Sequence, residues 1–175
     1  MKKEILTSVA ASLLLLCSCG NEQKYQPVTI QADSISNFSV KYKQEKQCSK
    51  TIHVKLNDVV GFDAVFDTGC SFDLVISPIE LVNLYKVNAI TDTDKIGVAN
   101  NKLANGEIVN TPIFNIKELS ITDTNGKVHA LYNKKAHVME KPEAPFLLGD
   151  PVIDELAGKK SYTVDLQENL IKFNN

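Results

Sequence analysis

Ala64-Val65-Phe66-Asp67-Thr68-Gly69-Cys70-Ser71 runs an apolar strand straight into a carboxylate, a hydroxyl and a glycine. A carboxylate at the end of such a strand is costly to bury, so Asp67 should be hydrogen-bonded, paired or used. Gly69 lets the backbone turn sharply beside it with no Cβ to clash. Phe72, Leu74, Val75 and Ile76 then restore the apolar character, so two buried segments grip a carboxylate at a loop tip. The block by itself permits turn capping, ligand binding or chemistry.

Working outward on the N-terminal side, Ile52, Val54 and Leu56 alternate with His53 and Lys55 and stop at Asn57-Asp58. They predict a strand forming a hairpin with Phe62-Asp63-Ala64-Val65-Phe66, which delivers Asp67. Further upstream, residues 20–47 are polar and read as a tether, with alternating stretches at 28–30 and 38–42 that predict early strands ahead of a core domain at 49–175. At the chain start, Met1-Lys2-Lys3-Glu4 precedes an apolar run over 5–16 and then Cys17-Ser18-Cys19-Gly20. That run is shorter than the roughly 20 apolar residues of a membrane span, and it reads as a secretory signal over residues 1–18. Leu16-Cys17-Ser18-Cys19 resembles the bacterial lipobox, which implies that Cys19 becomes the lipidated first residue of the mature chain. The alternative is ordinary cleavage nearby with Cys19 left as a thiol. The expected location is the bacterial cell envelope, at the outer membrane, held by the lipid anchor alone.

On the C-terminal side, Ser77-Pro78-Ile79-Glu80 predicts a capped helix start, with Leu81, Leu84 and Tyr85 on its apolar face and an end near Lys86. Residues 96–109 form a polar hairpin around Asn105-Gly106, and either an ordinary surface hairpin or a cover for a cleft fits it. Strands are predicted over 113–121 and 128–132, with Asn125-Gly126 turning between them and a further short strand at 136–139. Phe146-Leu147-Leu148-Gly149-Asp150-Pro151 is the second conspicuous block, a strand halted by glycine that opens a helix through Leu156. Tyr162-Thr163-Val164-Asp165 and Leu170-Ile171-Lys172-Phe173 close the chain as a hairpin.

Composition limits the function. With 175 residues, 43% of them hydrophobic, and a formal net charge of −2, the chain suits one modest domain and has no basic stripe for nucleic acid. Cys48 and Cys70 can pair only if the fold brings them together. Cys70 could be a nucleophile, but His53, His129 and His137 are scattered singly and none is placed by sequence to activate it, so a small packed thiol is the expectation. Asp123-Thr124-Asn125-Gly126 resembles the Asp67 block only superficially, and its inserted Asn125 marks a turn. The Asp67 block is therefore not repeated.

Strand hairpin, Phe-Asp-Thr-Gly-Cys-Ser, polar hairpin, Leu-Leu-Gly, short helix and terminal hairpin, taken in that order, resemble the retropepsin-like single-domain aspartic proteases over residues 51–173. The resemblance implies a mostly β acid-protease barrel with one or two short helices, and an aspartic endopeptidase that needs no metal or organic cofactor. Asp67 would be its catalytic carboxylate. Thr68 would brace the turn across a dimer axis, Gly69 would sit close to the substrate backbone, and Leu147, Leu148 and Gly149 would support the loop from behind. Gly97, Val98, Ala99, Asn100 and Gly106 would belong to the flap, although this hairpin lacks a glycine-dense tip. Amide hydrolysis needs both an acid and a base, so the implied partners are a second copy of the chain, to bring a second Asp67, and an extended peptide substrate. The competing reading keeps the fold and removes the chemistry, leaving an envelope lipoprotein that holds a peptide without cutting it.

Overall fold

The computed structural model describes residues 37–44, 49–102, 106 and 108–175. The signal segment, Cys19, Cys48, Asn105 and the strand expected at 28–30 lie outside them. The described elements run β1 (Phe38–Gln44), β2 (Lys50–Leu56), β3 (Val60–Asp67), β4 (Leu74–Ile76), α1 (Pro78–Lys86), β5 (Lys95–Lys102), β6 (Ile108–Thr122), β7 (Val128–Val138), β8 (Leu147–Gly149), α2 (Asp150–Leu156), β9 (Ser161–Asp165) and β10 (Leu170–Asn174). A 3₁₀ turn at Asp92–Asp94 precedes β5.

Six strands close on themselves. β6, β7, β4, β8, β3 and β2 are hydrogen-bonded in that order, and a short antiparallel pairing of β2 with β6, Leu56 opposite Leu119, completes the ring. Asn57 secures this closure: it takes φ 50°, a left-handed value that Asn tolerates, and its side chain accepts from Glu118 N–H and donates to the Ala89 carbonyl. Ile52, Leu56, Leu74, Ile116, Leu119 and Leu148, all from strands of the ring, are fully buried in one hydrophobic core. The result is the mostly β barrel with two short helices that the sequence predicts.

β5 adds to the outer edge of β6, and β1, β10 and β9 extend the sheet from β2. β1 pairs with β2 through Tyr42 and Ile52 and with β10 through Phe38 and Phe173. The early strand read at 38–42 is thus integral to the sheet, ahead of the residue-49 start assigned from composition. Alternation marks the strand, and tertiary pairing buries Phe38, Val40 and Tyr42.

Local chemistry explains the helices. Ser77 caps α1 and Glu80 reaches back to the Ser77 N–H, a reciprocal box with Pro78 in the first turn. α2 opens at Asp150 with Pro151 in its first turn. Neither helix, among the described residues, is long and apolar enough to cross a membrane.

Two predicted strands are longer than their patterns suggest. β6 is one continuous strand through Pro112, joining the polar hairpin to the segment read at 113–121, and β7 unites the two segments read at 128–132 and 136–139 across Asn133 at φ 56°. The turn between them is held by Asp123, whose carboxylate accepts from the N–H groups of Asn125 and Lys127 and from His129 Nε2. His129 in turn stacks on Phe38, with ring centroids 3.7 Å apart, and Thr124 N–H bonds the Ser39 carbonyl. The turn therefore fastens β1 to the barrel.

The His129 hydrogen bond, aided by the Lys127 and Asn125 amides, holds the Asp123 carboxyl below the usual carboxylate range although burial opposes this. A carboxylate depressed in the folded state stabilises fully above its unfolded value of about 3.9, and that contribution is lost as pH falls through the folded value. The urea midpoint of the protein should fall below about pH 4, and Asp123→Asn should cost about 1–3 kcal/mol at neutral pH while flattening this acid limb.

Candidate active site

β3 carries Asp67 to the rim of the barrel. Its inward neighbour Phe66 packs edge-on against Tyr162, with centroids 5.2 Å apart, which leaves Asp67 half-buried and Thr68 and Gly69 exposed. Cys70 N–H bonds the Asp67 carbonyl at 3.2 Å, closing a four-residue turn. Gly69 N–H donates to Asp67 Oδ1 at 2.9 Å. Among the described residues nothing else bonds or ion-pairs with the Asp67 carboxylate, so one oxygen is held and the other is free.

The Leu147-Leu148-Gly149 block lies directly beside this turn. β8 runs parallel to β3, Asp67 opposite Gly149, and antiparallel to β4, Leu148 opposite Leu74. It therefore fills the gap between the strand entering the loop and the strand leaving it. Asp150 N–H bonds the Cys70 carbonyl at 2.8 Å and Gly149 N–H bonds the Asp73 carbonyl at 3.0 Å, while the Asp73 carboxylate accepts from Lys135 N–H on β7. A Cβ on Gly149 would stand 1.8 Å from the Phe72 carbonyl oxygen. Glycine is thus required here by packing, since its φ of −89° is open to any residue.

Cys70 is a buried free thiol. Burial, with a smaller contribution from the Asp67 charge, pushes its pKa up despite an opposing contact with the Phe72 carbonyl, which makes it a poor nucleophile. The Thr68 hydroxyl has no hydrogen-bond partner among the described residues. Asp67 and Thr68 open on a cavity of about 400 Å³, bounded by Ser49 and Lys50 at the start of β2 and by Tyr162 and Val164 on β9.

Gly97, Val98, Ala99 and Asn100 lie on β5, paired with residues 110–113 of β6, and Gly106 takes φ 87° in the connecting turn. Val98 and Ile108 hold their apolar side chains out to solvent, 58% and 72% exposed. The sequence reading missed two residues next to this site. His137 on β7 is buried and stacks on Phe72, and Tyr162 on β9 walls the cavity. No local periodicity marks either of them, because each reaches the site from an element distant in sequence.

A ring of six strands with an Asp-Thr-Gly turn at its rim and a Leu-Leu-Gly strand threaded behind that turn defines the retropepsin-like fold. A retropepsin-like aspartic protease from Rickettsia conorii shares it, at TM-score 0.53 and 20% identity, over 78% of this chain and 89% of that one. The retroviral protease-like domain of Ddi1 from Leishmania major aligns at TM-score 0.40 and 11% identity, over 78% of this chain and 88% of that one. No family model and no curated protein matches the sequence. The likeness is one of fold.

Proposed function

We propose that the protein is an aspartic endopeptidase whose active site forms between two copies of the chain. The observation that carries this reading is the Asp67 carboxylate itself, with one oxygen fixed by Gly69 N–H and the other in no hydrogen bond or salt bridge among the described residues. Two such carboxylates about 3 Å apart cannot both ionise and share one proton. The ionised member takes a proton from water as it attacks the peptide carbonyl, and the protonated member donates to the carbonyl oxygen. A single chain supplies one Asp67, so the mechanism needs a two-fold axis beside it, and the Thr68 hydroxyl would bond across that axis. The β5–β6 hairpin would cover the cleft as a flap. Cys19 would carry the acyl chains that anchor the enzyme in a bacterial envelope.

Among the described residues β5 and β9 are the end strands of the sheet, which favours a second reading, in which a peptide is held by strand addition and left intact. Protein concentration separates the two. A peptidase built across a dimer should lose specific activity on dilution, with sedimentation showing the dimer dissociate over the same range. Peptide binding with no cleavage, unchanged at dilutions where the protein sediments as a monomer, would overturn the protease reading.

A further inference from the structure

β6 leaves β7 at the pair Ile113–His137. The next residue towards the turn is Pro112, which has no N–H to offer a neighbouring strand, and from there outward β6 pairs only with β5. Such a two-stranded ribbon is marginal alone, so its orientation depends on what its buried side chains touch. Those side chains are Asn101 and Thr111, 8% and 0% exposed. Asn101 Nδ2 donates to Thr111 Oγ1 and lies 3.1 Å from His137 Nδ1, and Thr111 Oγ1 lies 3.3 Å from the same nitrogen. The face of the imidazole stacks on Phe72, with ring centroids 4.3 Å apart and an interplanar angle of 25°. Phe72 belongs to the loop that follows Asp67, and its carbonyl occupies the space a Gly149 Cβ would need. One ring therefore touches both the hairpin and the Asp67 loop.

We propose that His137 is a positioning residue that latches the β5–β6 hairpin to the Asp67 loop while its imidazole is neutral, and that protonation opens the latch. The consequence for turnover rests on the protease reading above, whereas the latch is a property of the fold.

With Asn101 donating to Nδ1, the ring is the neutral tautomer carrying its proton on Nε2. A proton added at Nδ1 would face the Asn101 amide hydrogens and place a charge in a buried site. The groups facing the ring from β5 and β6 are the uncharged Asn101 and Thr111. Burial, aided by the Lys135 charge on β7, outweighs the Asp73 charge on the loop, which favours the protonated ring, and holds His137 below the ordinary imidazole value. A histidine kept neutral by its folded environment stabilises that environment fully above its free value of about 6.5, and the contribution fades as pH falls towards the depressed value.

Hydrogen exchange of the full protein, read by mass spectrometry over residues 95–112 and corrected for intrinsic rates, tests this. Protection of the hairpin should fall about 10-fold between about pH 7.5 and pH 5 while β2 and β3 stay protected. His137→Asn keeps an acceptor near the Nδ1 position without titrating there and should make hairpin protection independent of pH. Asn101→Asp offers the protonated ring a carboxylate and should reverse the trend, with the hairpin better protected in acid. If wild-type protection does not change, or His137→Asn keeps the wild-type pH response, the latch is overturned. Peptide KM measured in parallel should rise in acid for wild type and stay level in His137→Asn. Absence of any cleavage alongside the expected exchange pattern would overturn the protease reading and support the latch.

Discussion

Asp67→Asn should reduce peptide hydrolysis by at least about 10³-fold while leaving the fold and the dimer in place. The amide oxygen of Asn can still accept from Gly69 N–H, so the turn that Asp67 now closes survives the change. What is lost is the titrating group: an amide can neither take a proton from water nor share one with a partner carboxylate. Mixing gives a sharper result. If each active site needs one Asp67 from each chain, pairing a wild-type chain with an Asp67→Asn chain gives an inactive dimer, and activity should fall with the square of the wild-type fraction. A linear decline would mean that each chain works alone, and retained activity in the pure variant would place the chemistry elsewhere. Circular dichroism and sedimentation on the same samples distinguish lost chemistry from lost structure.

Gly149→Ala should destabilise the protein by about 3 kcal/mol or more, the upper end of what overpacking costs. The added methyl would stand 1.8 Å from the Phe72 carbonyl oxygen and 2.8 Å from that of Cys70. Both are backbone atoms on the Asp67 loop, so no side chain can rotate away to relieve the contact. Either β8 withdraws from between β3 and β4, breaking the bonds from Gly149 and Asp150 to the loop, or the loop itself moves. Both outcomes displace Asp67, so the unfolding midpoint and the peptidase rate should fall together. Gly97→Ala is the matching control: nothing lies within 4 Å of the Cβ it would add, and its effect on stability should stay within about 0.5 kcal/mol.

The parts legible in the sequence are those with local causes. The Ser77 cap, the turns at Asn57 and Gly126, the alternation of β2 and the terminal hairpin each arise within a few residues, so pattern and propensity were enough to place them. The Asp67 block was legible because a charged residue at the end of an apolar strand is conspicuous, and Leu147-Leu148-Gly149 because an apolar strand halted by glycine is conspicuous too, while the resemblance implied its supporting role. The reason for Gly149 was hidden, since a glycine in an ordinary backbone conformation reveals its need only when Phe72 is packed against it. Alternation marks 38–42 as a strand, but its place in the sheet is not local: its hydrogen bonds go to β2 and to β10 near the chain end. The segments read apart on either side of Pro112 merge into β6, and those on either side of Asn133 into β7, because these residues look like breaks where the sheet tolerates them.

The amino-acid sequence alone determined the helix start at Ser77, the β2–β3 and terminal hairpins, the place of Asp67 at the end of a strand and the absence of a second block like it, since these follow from neighbours in the chain. The tertiary structure decided the closing of six strands into a ring, the threading of β8 behind the Asp67 turn and the meeting of Asn101, Thr111, His137 and Phe72. Those contacts join residues tens of positions apart, and no local propensity encodes a contact made only when the barrel closes.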